Sequence, residues 1–203
     1  MQSYSAVVLG STGNVGRQIV NLLAASPAVR QVVVVNRRQT DEFKGTTKVR
    51  EVVVPDMDKL AETVEPAARE AGATVGFCAI GVGKGSQKMP EAEVRKIEVR
   101  YPEAFAKGCK AGGVLSLGLM TAAGSDIKSS FKYVFPAVQC VLPSRYHSIH
   151  KNELARAMFE GTQKALADLQ RRPAQGGALP TPVVRFYDYG DMKPFFNKDD
   201  PKD

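Results

Sequence analysis

Three glycines stand at equal spacing near the start of the chain, Gly10, Gly13 and Gly16 in "AVVLGSTGNVGRQIV", Ala6 to Val20. An apolar run leads into them and a helix-periodic segment leads out. A strand, a glycine turn and a helix in that order suit a pyrophosphate. The first glycine permits a tight exit from the strand, the second lets phosphate approach the backbone, and the third lets the helix pack close to the sheet. The helix start then offers free N–H groups and a positive dipole end. Ser11, Thr12 and Asn14 add side-chain donors, with Val15 in the same first turn. The plainer alternative is a turn that serves packing alone.

A second set of residues bears on which dinucleotide such a turn takes. The next β-branched run, "VVVVNRR", ends in Asn36, Arg37 and Arg38, and no acid follows until Asp41. A carboxylate at that strand end takes the ribose hydroxyls of NAD, whereas guanidiniums suit a 2′-phosphate. NADP(H) is therefore expected over NAD(H), against the alternative that the arginines merely solvate a loop. Asp56 follows the third run in "VVVPDMD" and suits either an adenine amino group or the N-cap of the next helix. Ile80 and Gly81, after "VGFCA", are expected to line the nucleotide groove.

These groups need a scaffold, and the periodicity supplies one. Strands are expected at Ser5–Leu9, Gln31–Asn36, Val49–Val54, Thr74–Ile80 and Val114–Met120, alternating with helices at Asn14–Ala25, Lys59–Glu70 and Glu91–Ala111. That rhythm is an α/β, Rossmann-like doubly wound parallel sheet with helices on both faces. Continuously apolar strands fit burial on both sides. Pro102 predicts a break near Arg100–Tyr101. Beyond Met120 the rhythm stops, then a helix pattern returns over Lys151–Leu169 and "VVRFY" reads as a late strand. We expect one domain over residues 1–203, its nucleotide part at 1–133 and a shortened substrate or interaction part at 134–203.

Charge and cysteine content narrow the function classes. The net charge is +7, but Lys and Arg are scattered without a block of five or six, so nucleic acid is not an expected partner. Cys78, Cys109 and Cys140 are widely separated and odd in number, which disfavours a disulfide framework. Two histidines, His147 and His150, give no metal spacing with them. No apolar run reaches membrane-span length, and "MQSYSAVV" has no basic leader. The expectation is a soluble protein of a reducing compartment, the cytoplasm or a mitochondrial location.

Five stretches together, "VVLGSTGNVGRQIV", "VVVVNRR", "ATVGFCAIGVGKG", "YPEAFAKGCKAGG" and "TAAGSDIKSSFKY", resemble the atypical short-chain dehydrogenases of the Tat-interacting-protein type, grouped with NmrA-like proteins. The resemblance covers Ser5 to Tyr133, resumes at "VLPSRYHSIHKNELARAMF" and continues weakly through "VRFYDYGDMKPF". It implies hydride transfer with NADP(H) through a Tyr-x-x-x-Lys pair and a hydroxyl residue on the fifth strand, the lysine lowering the tyrosine pKa and holding the nicotinamide ribose. By position the hydroxyl residue is Thr121 and the tyrosine Tyr133, while the lysine position is Ala137.

A segment of a few dozen residues, carrying the lysine helix, the sixth strand and part of the substrate lid, is absent between about Val134 and Phe135 on this reading. One displaced pair remains, Tyr146 with Lys151, or with His150 at the usual spacing. Two functions follow. One is an NADP(H)-dependent oxidoreductase acting on a carbonyl or quinone. The other is a non-catalytic NADPH-holding scaffold or redox-sensing subunit that docks to a protein partner.

Overall fold

The computed structural model describes residues 3–82, 89–120, 137–141, 151–171 and 183–187, with 137–141 and 183–187 described through the backbone alone. Among these residues one sheet contains seven parallel strands. They are β1 (Tyr4–Leu9), β2 (Val29–Asn36), β3 (Val49–Val53), β4 (Ala73–Cys78), β5 (Ser116–Met120), β6 (Ala137–Val141) and β7 (Val183–Tyr187). Their spatial order is β3-β2-β1-β4-β5-β6-β7, so the winding reverses between β1 and β4.

Alternation along each strand explains the unbroken apolar runs. Val7, Leu9, Val33, Val35 and Leu117 point to one face, where they meet Leu60 and Val64 of helix α2 (Leu60–Ala71) and Phe105 of α4 (Tyr101–Ala111). Ala6, Val8, Val32, Val34 and Phe77 point to the other, against Ile19 and Leu23 of α1 (Asn14–Ala25) and Leu154 and Met158 of α5 (Lys151–Arg171). Every second side chain serves a different layer, so every position in β1 and in the second half of β2 is buried. Gln163 of α5 also donates a hydrogen bond to the Tyr4 hydroxyl, tying that helix to β1.

The helical stretch before β5 is interrupted where the sequence predicts it. Helix α3 (Glu91–Arg95) passes into a π-helical turn at Lys96–Arg100 and then into α4, with Pro102 at the start of α4. Pro102 has no N–H, and its ring would crowd the Glu98 carbonyl in a regular α ladder. The wider π spacing relieves that conflict without ending the helix.

One expectation is corrected. The sixth strand is present as β6, in register with β5 from Ala137 opposite Ser116 to Val141 opposite Met120. A short β-branched stretch beside Pro136 gave little periodicity to read, and pairing with β5 supplies what local propensity lacks. What is shortened is the connection: residues 121–136 alone join two parallel strands, near the minimum of a dozen or so that a crossover requires. The late helix and "VVRFY" strand stand as expected, in α5 and β7.

Candidate dinucleotide site

The crevice lies at the carboxyl ends of β1, β2 and β4, beside the reversal of strand order, where open α/β sheets take ligands. A cleft of about 250 Å³ opens there. Leu9, Gly10 and Thr12 bound it from the exit of β1, and Val35, Asn36 and Arg37 from the exit of β2. Ile80 closes it from β4. Met57, Ile97 and Tyr101 complete the wall.

The three glycines of the turn have different reasons to be glycine. Gly10 sits at φ +87°, and a Cβ there would lie 2.8 Å from the Ala79 carbonyl group. A Cβ on Gly16 would lie 2.0 Å from the Gly10 carbonyl oxygen. Both are demanded by the chain's own packing. Gly13 is not: its φ and ψ are −75° and 162°, and a Cβ would meet nothing nearer than the Gly10 oxygen at 3.4 Å. Gly13 is also the N-cap of α1, with no side-chain cap and no acid in the first helical turn. The leading N–H groups of α1 thus lack a side-chain acceptor and suit an anion. Thr12, Gly13 and Asn14 are exposed on that turn, and Val15 is half-buried behind it.

Ser11 is placed differently from its sequence reading as a phosphate donor. It is fully buried, and its hydroxyl donates to Asn36 Oδ1 at 2.7 Å. Asn36 Nδ2 in turn donates to Glu51 Oε1 at 2.7 Å. The same carboxylate accepts the Thr40 N–H at 3.0 and 3.1 Å. Asn36 is therefore a strut between the glycine turn and β3, its amide oxygen and nitrogen both engaged inside the protein. Arg37 and Arg38, just beyond it, are exposed, and among the described residues neither has an ion pair. Arg37 lines the cleft and Arg38 does not.

Of the two roles open to Asp56, the capping one is visible. Its carboxylate accepts the Asp58 N–H at 3.1 Å and caps the short 3₁₀ turn Met57–Lys59 that leads into α2. The π turn contributes residues that sequence reasoning missed. Tyr101 and Ile97 face the cleft. Lys96 lies 3.0 Å from the Asp58 carboxylate and 5.7 Å from the centre of the Tyr101 ring. The hydrogen bond to Asp58 pushes the Lys96 ammonium pKa up. A signal existed in Pro102, since π turns cluster at functional sites. Glu51 was missed as well, because an acid inside a strand carries no motif.

Gly81 is exposed just past Ile80. Thr121 and Tyr133 lie outside the described residues, as do Tyr146, His147 and His150. Ala137, the lysine position of the Tyr133 motif, is the first residue of β6 and pairs with Ser116, the first residue of β5. That is the amino end of the sheet, four residues of β5, or about 13 Å of strand, away from the crevice side. Lys151 begins α5, which follows the carboxyl end of β6. Cys78 and Cys109 are buried free thiols, and burial pushes the Cys78 pKa up to about 12. Among the described residues no group of His, Cys, Asp or Glu could hold a metal ion, and no helix is long and apolar enough to cross a membrane.

No protein-family model matches the chain. It is 32% identical over 130 residues to Protein FMP52-1, mitochondrial, of Scheffersomyces stipitis, covering 64% of this chain and 55% of that one. To Protein HTATIP2 of Rattus norvegicus it is 30% identical over 135 residues, covering 66% and 53%. The chain thus spans about half the length of the curated relatives it matches. Among solved structures it is similar to the Cj0485 dehydrogenase, at a TM-score of 0.62 and 11% identity over 94% of this chain and 95% of that one. A short-chain dehydrogenase/reductase of Serratia marcescens gives 0.60 and 15%, over 94% and 98%. The Bordetella bronchiseptica enzyme WbmF, solved with NAD+ and UDP, gives 0.54 and 15%, over 70% and 49%.

Fold and glycine turn together define a Rossmann-like, doubly wound α/β fold, the fold of the solved dehydrogenases to which the chain is similar. The sequence similarity to FMP52-1 and HTATIP2 over about half their length agrees with the resemblance to the atypical short-chain dehydrogenases of the Tat-interacting-protein, NmrA-like type.

Proposed function

We propose that this protein binds NADP(H) in preference to NAD(H) and does not turn it over through the Tyr-x-x-x-Lys chemistry of its class. The observation that carries the cofactor preference is the engagement of Asn36. An NAD site needs an acceptor for the ribose hydroxyls at the end of the second strand. Here Asn36 is buried, its oxygen accepting from Ser11 and its nitrogen donating to Glu51, while Arg37 next to it lines the cleft with no ion pair among the described residues. The pyrophosphate would rest on the turn at Gly13 and the first N–H groups of α1, with Gly10 and Gly16 shaping that turn. Thr12 and Asn14 stand at its rim and Ile80 and Gly81 border the groove.

Against turnover through Tyr133 stands the position of Ala137, which is neither a lysine nor on the crevice side of the sheet. The scaffold or redox-sensing reading follows, with an unidentified protein partner. A second reading keeps oxidoreductase activity on a carbonyl or quinone through Tyr146 and Lys151, and one observation favours it. β6 ends at Val141 opposite Met120, on the carboxyl side of the sheet where the crevice lies, ten residues before Lys151 begins α5.

The test is a calorimetric titration of the full chain with NADPH and NADH, repeated for the Arg37→Ala, Arg38→Ala double variant. A wild-type preference for NADPH that vanishes in the double variant supports the reading. Equal affinities in the wild type overturn it. As to location, we propose a reducing compartment, cytoplasmic or mitochondrial, the latter in keeping with the word in the FMP52 relatives' names.

A further inference from the structure

We infer that Glu51 is a positioning residue for cofactor choice: its carboxylate holds the end of β2 and the loop beyond it in the shape that turns Arg37 to the cleft. The inference rests on the NADP(H) reading above. Its basis is a hydrogen-bonded chain that crosses three elements. Glu51 projects from β3 and accepts from Asn36 on one side of Arg37–Arg38 and from the Thr40 N–H on the other. The two arginines sit on a short bridge whose ends are fixed by the same carboxylate.

The polarity of that chain is set by chemistry. A carboxylate only accepts, so Asn36 must turn its Nδ2 toward Glu51 and therefore its Oδ1 toward Ser11, which must donate. Glu51 thereby fixes the orientation of the buried Asn36 amide at the β2 end. One residue holds both ends of the segment that presents the arginine.

The other ties on this loop do not duplicate it: Lys44 pairs with Asp41 within the loop, both side chains exposed. Arg17 pairs with Glu42, a site farther along and half exposed, where an ion pair contributes little. Phe43 is half-buried and holds the far end of the loop. Release of Glu51 should therefore free residues 37–40 rather than the whole loop.

The experiment measures NADPH and NADH affinities by calorimetry for the full chain carrying Glu51→Ala, Glu51→Asp or Glu51→Gln. In Glu51→Ala the NADPH affinity should fall about tenfold, the scale of a lost charge-assisted bond, with NADH affinity held within about twofold. Glu51→Asp keeps the charge but loses the reach to both donors, and should behave like Glu51→Ala. Glu51→Gln keeps an oxygen in reach of both donors and should retain the preference. This variant is expected to fold, since it preserves size and most contacts.

In the Arg37→Ala, Arg38→Ala background, Glu51→Ala should change the ratio of affinities no further, because it acts through those arginines. A wild-type preference that survives both Glu51→Ala and Glu51→Asp overturns the inference while leaving the NADP(H) reading intact. So does a loss of both affinities together. A wild type without preference overturns the NADP(H) reading and this inference with it.

Discussion

Gly13 separates a turn built for a ligand from a turn built for itself. If it is glycine only for packing, Gly13→Ala should destabilise the protein as Gly10→Ala or Gly16→Ala would. The geometry argues otherwise. At φ −75° and ψ 162° alanine is unstrained, and its Cβ meets the Gly10 oxygen at 3.4 Å, a contact eased by a few tenths of an ångström. Reduced freedom of the unfolded chain stabilises such a change by about 0.4–1 kcal/mol. Alanine is a poorer N-cap than glycine by a similar few tenths to about 1 kcal/mol, so the two effects nearly cancel. We expect a net change within about 0.5 kcal/mol, or about 2 °C in Tm for a chain of this size.

Gly16→Ala is the contrast. Its Cβ would sit 2.0 Å from a backbone oxygen. Overpacking of that kind costs roughly 1–3 kcal/mol, and Tm should drop by several degrees. For binding the order reverses in meaning. Gly13→Val should retain its fold by circular dichroism while losing at least about tenfold in NADPH affinity, about 1.4 kcal/mol, because the side chain occupies the approach to the turn. A Gly13→Ala variant that melts as early as Gly16→Ala, or a Gly13→Val variant that binds NADPH like the wild type, would refute the reasoning.

The Arg37→Ala, Arg38→Ala variant should lose about 1.5–3 kcal/mol of NADPH affinity, roughly ten- to a hundredfold, with NADH little changed by calorimetry. Incubation with NADPH and a panel of aldehydes, ketones and quinones should show no oxidation of the cofactor that disappears in Tyr133→Phe; turnover lost only in Tyr146→Phe would favour the second reading. Stability should decline on the alkaline side. Burial pushes the Cys78 thiol from 9.0 and the Tyr4 hydroxyl from 10.0 each up to about 12. Both are neutral when protonated, so the unfolded chain ionises first, and the stability present below pH 9 is lost as pH rises toward 12. Melting curves from pH 8 to 11 should fall, and less steeply in Cys78→Ala; a slope identical in the two proteins would show that Cys78 contributes nothing.

The first five strands, the glycine turn and the arginines at the β2 end could be read from the sequence because each rests on local pattern. Runs such as "VVVV", Val32 to Val35, are apolar at every position only when both faces are buried, and the glycine spacing sits between a strand and a helix. What could not be read depends on contacts between distant residues. Ser11 looks like a phosphate donor until Asn36, 25 residues away, claims its hydroxyl. Glu51 is an ordinary strand acid until its partners at Asn36 and Thr40 are known. Ile97, within the π turn, and Tyr101, directly after it, line the cleft through the packing of that helix against the site, which no local motif announces.

The same distinction decides the chemistry. A Tyr-x-x-x-Lys pair works when both side chains share one face of a helix at the crevice, a condition of placement as much as of spelling. By the resemblance to the atypical short-chain dehydrogenases this chain departs from the motif at one letter, Ala137. By topology it departs further, because residue 137 opens a strand at the amino end of the sheet and has Ser116 as its neighbour. Restoring the letter with Ala137→Lys would therefore set an ammonium about 13 Å of strand from the crevice side and should not restore turnover. An Ala137→Lys variant that oxidises NADPH with a carbonyl substrate, and loses that activity on Tyr133→Phe, would show that the shortened connection still brings the pair together at the cofactor.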